Sequence, residues 1–267
     1  MTAPDLTPNV TKLSVLEMPH RIALHVYWQR LIPLVGETWA THICEVAADA
    51  IRQHPGVQRV LGRVQAHWYD SVAQGAPDYG VYRAPIYLAE VWYCWSTYSR
   101  MYLRQLAKLG VLNDVTSIAD LGCGTGYSTA ALRQIAPHAS VIGTNVLEGT
   151  QGRFCKSMAD EYGFALRAGP QEVGAVQAVF ASEYFEHFPA PLEHLQEVLA
   201  ACQPRKLIIA NTFTSPSIGH FPTYAVNGQQ VDGARASRAF NASLTQAGYR
   251  QLKLKLWNNR PAVWELQ

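Results

Sequence analysis

The stretch Thr116-Ser117-Ile118-Ala119-Asp120-Leu121-Gly122-Cys123-Gly124-Thr125-Gly126-Tyr127 constrains this chain more than any other. Val115 to Leu121 is short, mostly apolar and β-branched at several positions, which suits a buried central strand. Three glycines at alternate positions follow. Lacking a Cβ, each lets the backbone take positive φ and lets a ligand approach the main chain closely. Ser128 to Ile135 has helical composition, and Pro137 stops it. A helix that opens on such a turn offers free N–H groups and a positive dipole end to a ligand.

The rest of the chain has to supply what packs around this unit. With 267 residues, 48% hydrophobic and 16% charged, a packed globular protein is expected. The net charge of +2 gives no argument for a nucleic-acid partner. No apolar run reaches the roughly 18–20 residues of a transmembrane helix, so no membrane partner is expected. MTAPDLTPNV lacks the basic and apolar regions of a signal peptide. Cys44, Cys94, Cys123, Cys155 and Cys202 are scattered, with no C-x-x-C among them. Neither a disulfide framework nor a zinc site is expected, and a reducing cytoplasm is the expected location.

Residues 1–12 carry Thr, Pro and Asn and are expected to fray. Helical spacing then recurs from Ser14 to about Val35, limited by Pro19 and Pro33, and again over Glu37–Gln53, ended by His54-Pro55-Gly56. Val57 to about Val72 is a third candidate helix, and Gln74–Pro85 reads as a loop. Ile86–Leu109 is the longest helical stretch and holds Tyr87, Trp92, Tyr93, Trp95, Tyr98 and Tyr102. Aromatics at this spacing are core, or the wall of a substrate pocket, since Tyr and Trp carry polar tips that need partners. With no strand pattern before Gly110, residues 1–109 are expected to form a helical cap, and residues 110–267 the core domain.

After the glycine turn the chain alternates. Strands are expected at Ala139–Thr144, Phe164–Arg167, Ala175–Ala181 and Lys206–Ala210. Helices are expected at Gly149–Tyr162, Pro191–Cys202 and Ala234–Ala247. Asn211–Val231 reads as irregular. Gln251–Trp257 and Ala262–Leu266 alternate around Asn258-Asn259-Arg260-Pro261, which is a hairpin signal. Strands separated by helices imply a doubly wound, mostly parallel α/β sheet with right-handed crossovers, closed by one antiparallel strand.

The pattern Asp-x-Gly-x-Gly-x-Gly is not the spaced G-x-G-x-x-G of nicotinamide enzymes. It resembles the first motif of class I S-adenosylmethionine (SAM) dependent methyltransferases, and the order of elements over about Gly110–Gln267 resembles their seven-stranded sheet with the last strand inserted antiparallel. The resemblance implies SAM as cofactor. It places the acidic residue, here Asp120, facing the methionine part, with Gly122, Cys123, Gly124 and Gly126 lying against it. The second strand of that family usually ends in a carboxylate that accepts from both ribose hydroxyls. Asn145, followed by Val146, departs from this. Its amide accepts one hydroxyl, or Glu148 reaches round, or Asn145 is only a turn residue. After the third strand, Ala168-Gly169-Pro170 offers backbone only, leaving Gln171 or Glu172 as candidates toward the adenine.

Ser182-Glu183-Tyr184-Phe185-Glu186-His187-Phe188-Pro189 resembles the loop found beside the transferred methyl in small-molecule methyltransferases of this class. Ser182 is expected at the cofactor and Glu183 at cofactor or substrate. His187 is a candidate general base, because an imidazole titrates near neutral pH, or else a packing histidine. The long connection Asn211–Tyr224 is expected to be functional, with His220 and Tyr224 its notable polar groups, or to be a surface excursion. Tyr87, Trp95, Tyr98, Tyr184 and Tyr224 are the expected substrate contacts. His187, His220 and Glu183 are the expected catalytic groups.

The tetrapeptide of exocyclic-amine DNA methyltransferases is not matched at Ser182–Phe185, and no Cys lies between Cys155 and Cys202 to serve a cytosine-C5 enzyme. No metal-ligand cluster appears at helical spacing, so no metal is expected. The expectation is a SAM-dependent methyltransferase acting on an O, N or C nucleophile of a small molecule. A nucleic-acid modifier, a SAM-family enzyme moving another group, and a non-catalytic binding protein stand as alternatives. The oligomeric state and the acceptor are left open.

Overall fold

The structure, a computed structural model, describes residues 14–51, 55–256 and 260–267. The expected fraying of residues 1–12 and the turn residues Asn258 and Asn259 lie outside these. Seven strands form one sheet: β1 (Ser117–Leu121), β2 (Ser140–Thr144), β3 (Ala165–Arg167), β4 (Ala178–Ser182), β5 (Lys206–Ala210), β8 (Tyr249–Gln251) and β9 (Ala262–Leu266). Their order is β3-β2-β1-β4-β5-β9-β8. The first five run parallel, and β9 is antiparallel to both β5 and β8.

The central strands read as continuous apolar runs because helices cover both faces. Residues Ile118–Leu121, Ala178–Ala181 and all of β5 are buried. The crossovers are α6 (Tyr127–Ile135), α7 (Gly149–Tyr162), α8 (Pro191–Cys202) and α9 (Gly233–Gln246). Strand order reverses between β1 and β4, and the crevice beyond their carboxyl ends is where an open parallel sheet binds its ligand.

Ahead of the sheet come α1 (His20–Val35), α2 (Glu37–Ile51), α3 (Pro55–Ala73), α4 (Tyr87–Cys94) and α5 (Arg100–Lys108). Pro55, expected as a breaker, instead opens α3, where a missing N–H leaves nothing unpaired. The stretch from α4 to α5 is continuous but contains a π turn at Trp95–Ser99. Such an inserted residue re-aims the side chains that follow. Aromatics weld these helices to the core. Tyr27 lies 4.8 Å from Trp92 and 5.0 Å from Phe154 of α7, and Trp95 lies 4.1 Å from Tyr127 of α6, centroid to centroid.

Two expectations shift. The sixth strand of the sheet was expected at Gln251–Trp257 but occupies Tyr249–Gln251. Leu252 still donates to Val263 O, and the next register would meet Pro261, which has no N–H to give. The irregular stretch Asn211–Val231 contains a small hairpin, β6 (Tyr224–Val226) with β7 (Gln229–Val231). Its turn is Asn227-Gly228, both at positive φ (51° and 77°), as a two-residue hairpin turn requires. No described helix is long and apolar enough to cross a membrane.

Lys206 opens β5 with its side chain buried. Its Nζ donates to Val111 O at 2.8 Å and to Asp114 Oδ1 at 3.0 Å. Arg205 also pairs with Asp114. Hydrogen bonds from Arg205 and Lys206 hold the Asp114 carboxyl down at about 2. A depressed carboxylate stabilises the fold above its unfolded value and stops doing so as pH falls through its folded value. Stability measured in urea should therefore fall between about pH 4 and pH 2 in the wild type, and Asp114→Asn should remove that component. The carboxylate is half exposed, so screening limits the effect to about 1 kcal/mol.

Candidate active site

At the end of β1, Asp120 is buried and accepts from Ser128 Oγ and Thr129 Oγ1, both at 2.7 Å. These hydroxyls belong to the first turn of α6, so the carboxylate ties the strand to the helix across the glycine turn. Burial pushes the Asp120 carboxyl up to about 6, against the pull of those two hydroxyls. The turn is also held sideways: Gly122 N donates to Thr144 Oγ1 at 3.1 Å, and Cys123 N to Thr144 O at 2.9 Å.

The three glycines are needed for different reasons. Gly122 (φ +65°) and Gly124 (φ +58°) face the crevice, where a Cβ would come within 2.6 Å of the Tyr184 ring and 2.8 Å of Val91 Cγ1. Gly126 faces away. A Cβ there would press on Phe164, Cys155 and Met158 beneath the turn.

A cavity of about 530 Å³ opens above the turn. Asp120, Gly122, Cys123, Gly124, Asn145, Val146 and Ser182 all line it, as do Tyr87, Trp95, Glu183, Tyr184, His187 and His220. Gly126, Tyr98 and Tyr224 lie outside its lining. Tyr98 instead packs beside Tyr93 and Tyr102. Tyr224 is fully buried and donates to Glu186 O at 3.3 Å. Tyr184 reaches the cavity by its ring, while its hydroxyl meets His194 Nε2 on α8 at 2.8 Å.

Asn145 braces the loops. Its Nδ2 donates to Gly124 O, and its Oδ1 accepts from Gln151 Nε2 at 3.2 Å. Glu148 is exposed and pairs with Arg83 at 3.1 Å. After β3, Ala168, Gly169, Pro170 and Gln171 line the cavity, while Glu172 accepts from Ala168 N.

The loop after β4 is strained. Glu183 has φ +52°, a conformation that a residue with a Cβ rarely adopts and that clusters at functional sites. Its carboxylate accepts from Thr212 Oγ1 at 3.0 Å. Glu186 is fully buried and accepts from Thr212 N. Burial holds both carboxyls above the usual carboxylate range. The His187 ring stands 4.9 Å from that of His220, and its Nδ1 lies 3.0 Å from the Tyr82 hydroxyl. Burial first, and the neighbouring His220 second, push His187 down to about 3, so it is neutral at neutral pH.

The sequence did not single out Tyr82, Glu90, Val91, Cys94 or Gln151, which also line the cavity. Tyr82 follows a capping signal that was legible: Asp78 accepts from Gly80 N and opens the short 3₁₀ turn Tyr79–Arg83.

Residues 119–210 match the family described as a methyltransferase domain. That segment holds the glycine turn, Asn145 and the Glu183–His187 loop, on a sheet of the expected order. This segment is a methyltransferase domain, and the sheet that carries it has the strand order expected from the resemblance. SAM fits this methyltransferase cavity on two grounds. The bare faces of Gly122 and Gly124 leave room against the main chain, and Ser182 Oγ, Thr125 Oγ1 and Gln151 Oε1, on residues lining the cavity, are buried without a protein partner.

Among solved structures, the N-terminal domain of EvdMO1 with S-adenosylhomocysteine (SAH) bound is 18% identical. The match covers 61% of this chain and 76% of that one, with a TM-score of 0.43. Magnesium protoporphyrin IX methyltransferase from Synechocystis PCC 6803, with bound SAM, is 14% identical over 64% and 85%, at 0.43. An O-methyltransferase family protein from Burkholderia thailandensis is 12% identical over 68% and 60%, at 0.49. No curated protein matches the sequence significantly.

In this methyltransferase, Gly124→Ala should weaken SAH binding more than tenfold in calorimetry. The substitution costs about 1–2 kcal/mol at positive φ and drives Val91 of α4 away from the turn. Adding Val91→Ala should restore part of the loss, since the two residues share one contact. Strictly additive effects would show that Val91 does not seat the cap on the turn.

Proposed function

We propose that this methyltransferase moves a methyl group from SAM to an O, N or C nucleophile of a small molecule held between the glycine turn and the helical cap. The observation that carries this reading is the charge and shape of the cavity. Its walls are aromatic, from Tyr82, Tyr87, Trp95 and Tyr184. Among its described lining residues, Arg83 is the only Lys or Arg, against the carboxylates Glu90, Asp120 and Glu183. A nucleic acid needs several cations along its phosphates, and this cavity offers the opposite sign.

Bound SAM would supply a methyl group on a sulfonium, open to in-line displacement. The chain's own part is positioning and exclusion of water, which can supply several kcal/mol of the barrier. In this reading Asp120 holds the ammonium of the methionine part against the bare glycine faces. Asn145, Val146 and Gln171 lie toward the nucleoside end. Ser182, Glu183, His187 and His220 are the polar groups at the transfer end, and Tyr87, Trp95 and Tyr184 shape the acceptor's seat. Tyr98 and Tyr224 support from behind. Residues 1–109 act as the cap and 110–267 as the catalytic core. Five free cysteines support a cytoplasmic setting.

Two results test this. Asp120 titrates near 6 without a cation beside it. Below that pH it is neutral and its charge-assisted bond to an ammonium is lost, so SAM affinity should rise as pH climbs from 5 to 7. Asp120→Asn should weaken binding about tenfold or more at pH 7.5 and flatten this dependence. Incubation with methyl-labelled SAM and an extract of the source cells should place the label in the low-mass fraction. Label confined to RNA or DNA would overturn the acceptor class.

A further inference from the structure

We propose that Glu183, Glu186 and His220 bind one divalent cation at the wall of the cavity, with open coordination positions facing the acceptor. Its service to methyl transfer rests on the function proposed above; its binding does not.

The three side chains come from separate places. Glu183 ends the turn out of β4, Glu186 lies in the short 3₁₀ turn Phe185–His187, and His220 sits in the long loop after β5. One ligand atom of each lies within 4.8 Å of the other two. An ion centred in such a triangle is at most about 2.8 Å from each atom, and carboxylate or imidazole bonds of about 2.0–2.2 Å need a closure of roughly half an ångström.

An independent observation points to the same ligand. Glu186 is fully buried, its Oε1 accepts from Thr212 N, and its Oε2 is met by no described N–H donor, only by the neighbouring Glu183 carboxyl. A buried carboxylate oxygen left bare costs several kcal/mol unless a positive charge reaches it. No described Lys or Arg does so. Arg260 lends its charge to Glu183, but its guanidinium donates to Thr212 Oγ1 at 3.0 Å and to Asn211 O. Two carboxyls this close in a dry site share a proton until a cation takes its place between them.

The surroundings hold the three groups in a metal-ready state. His220 Nδ1 donates to Ser215 O at 2.8 Å, which fixes the neutral tautomer with its lone pair on Nε2. The His220 carbonyl accepts from the buried Trp68 Nε1 at 2.8 Å, pinning the residue from the cap side. Thr212 orients both carboxylates at once, by its N–H on Glu186 and its hydroxyl on Glu183. Backbone carbonyls and hydroxyls in these roles are the usual outer support of metal ligands.

Two carboxylate oxygens and one imidazole, without a thiolate, favour an ion of intermediate hardness such as Mn²⁺, Fe²⁺ or Zn²⁺ over Ca²⁺ or Cu⁺. Three protein ligands leave positions open, as catalytic sites do. Glu183 and His220 line the cavity, so those positions face its interior. An ion there would hold an acceptor through an oxygen lone pair, which narrows the acceptor class to hydroxyl-bearing molecules. The sequence put Glu183 and His220 at one site but gave no sign of Glu186 or of a metal, because His220 stands far along the chain from the two glutamates and no helical spacing links them.

Mn²⁺ is the probe. Metal-stripped protein titrated with MnCl₂, with free Mn²⁺ followed by electron paramagnetic resonance, should take up one ion per chain at micromolar concentration. Glu183→Gln, Glu186→Gln and His220→Gln should each weaken uptake at least 30-fold, while Glu90→Gln, on the same cavity, should leave it unchanged. Glu183→Gln carries the comparison if the buried Glu186→Gln does not fold. No stoichiometric uptake of Mn²⁺, Zn²⁺ or Mg²⁺ by the wild type at 1 mM would overturn the site. So would equal losses in Glu90→Gln, which would mark a diffuse acidic pocket. SAH titrated into the same samples separates the two proposals. SAH binding without metal uptake defeats the metal site alone, and metal uptake without SAH binding supports the site while defeating the methyltransferase reading.

Discussion

The buried carboxylate of Asp120 is the hinge on which this architecture turns. A charge-capable group at the end of a central strand is expensive unless donors meet it. Ser128 and Thr129 meet it at 2.7 Å each, and both sit on the helix that follows. The polypeptide must therefore reverse within the few residues between strand and helix. That is possible because Gly122, Gly124 and Gly126 all take positive φ. The same reversal leaves two glycine faces bare at the carboxyl edge of the sheet. One local requirement, satisfying Asp120, thus produces both the sheet-to-helix connection and the floor of the ligand cavity.

The cap completes the cavity by packing on this floor. Trp92 and Trp95 of the aromatic helix stack against Tyr27 and Tyr127, and Tyr127 is the first residue of the helix that opens on the turn. On the opposite wall, Tyr82 meets His187 at 3.0 Å, and both crowd Gly219, where a Cβ would lie 1.9 Å from the Tyr82 hydroxyl. Cap and sheet touch through large buried aromatics on one side and through polar groups on the other. The apolar side provides adhesion, and the polar side carries the titratable groups.

What could be read from the chain followed from local rules. The glycine turn, the helix stop at Pro137 and the five parallel strands have signals within a dozen residues, and those elements lie within a few residues of where the patterns put them, whereas Pro33, expected to limit the first helix, lies inside α1. The misplacements have non-local causes. The strand expected at Gln251–Trp257 has its alternating pattern, but its hydrogen bonds depend on a neighbour that presents Pro261. The hairpin at Asn227-Gly228 has a turn signal, but its strands are only three residues long, too short for a period-two pattern to mark them. Asn145 stands at the strand end where a ribose ligand was expected, yet its amide is shared between Gly124 and Gln151, contacts that no spacing reveals. Tyr98 and Tyr224 have the chemistry of acceptor contacts, but both lie outside the cavity lining.

The charge of the cavity ties these parts together. Asp120, Glu90 and Glu183 line it, with Glu186 just behind, and burial raises the pKa of every one of them. A set of carboxyls whose ionisation burial resists is a set that gains when cations arrive. Asp120 ends β1 and Glu183 follows β4, the two strands between which the order reverses, so the strand order itself sets the negative polarity of the cavity.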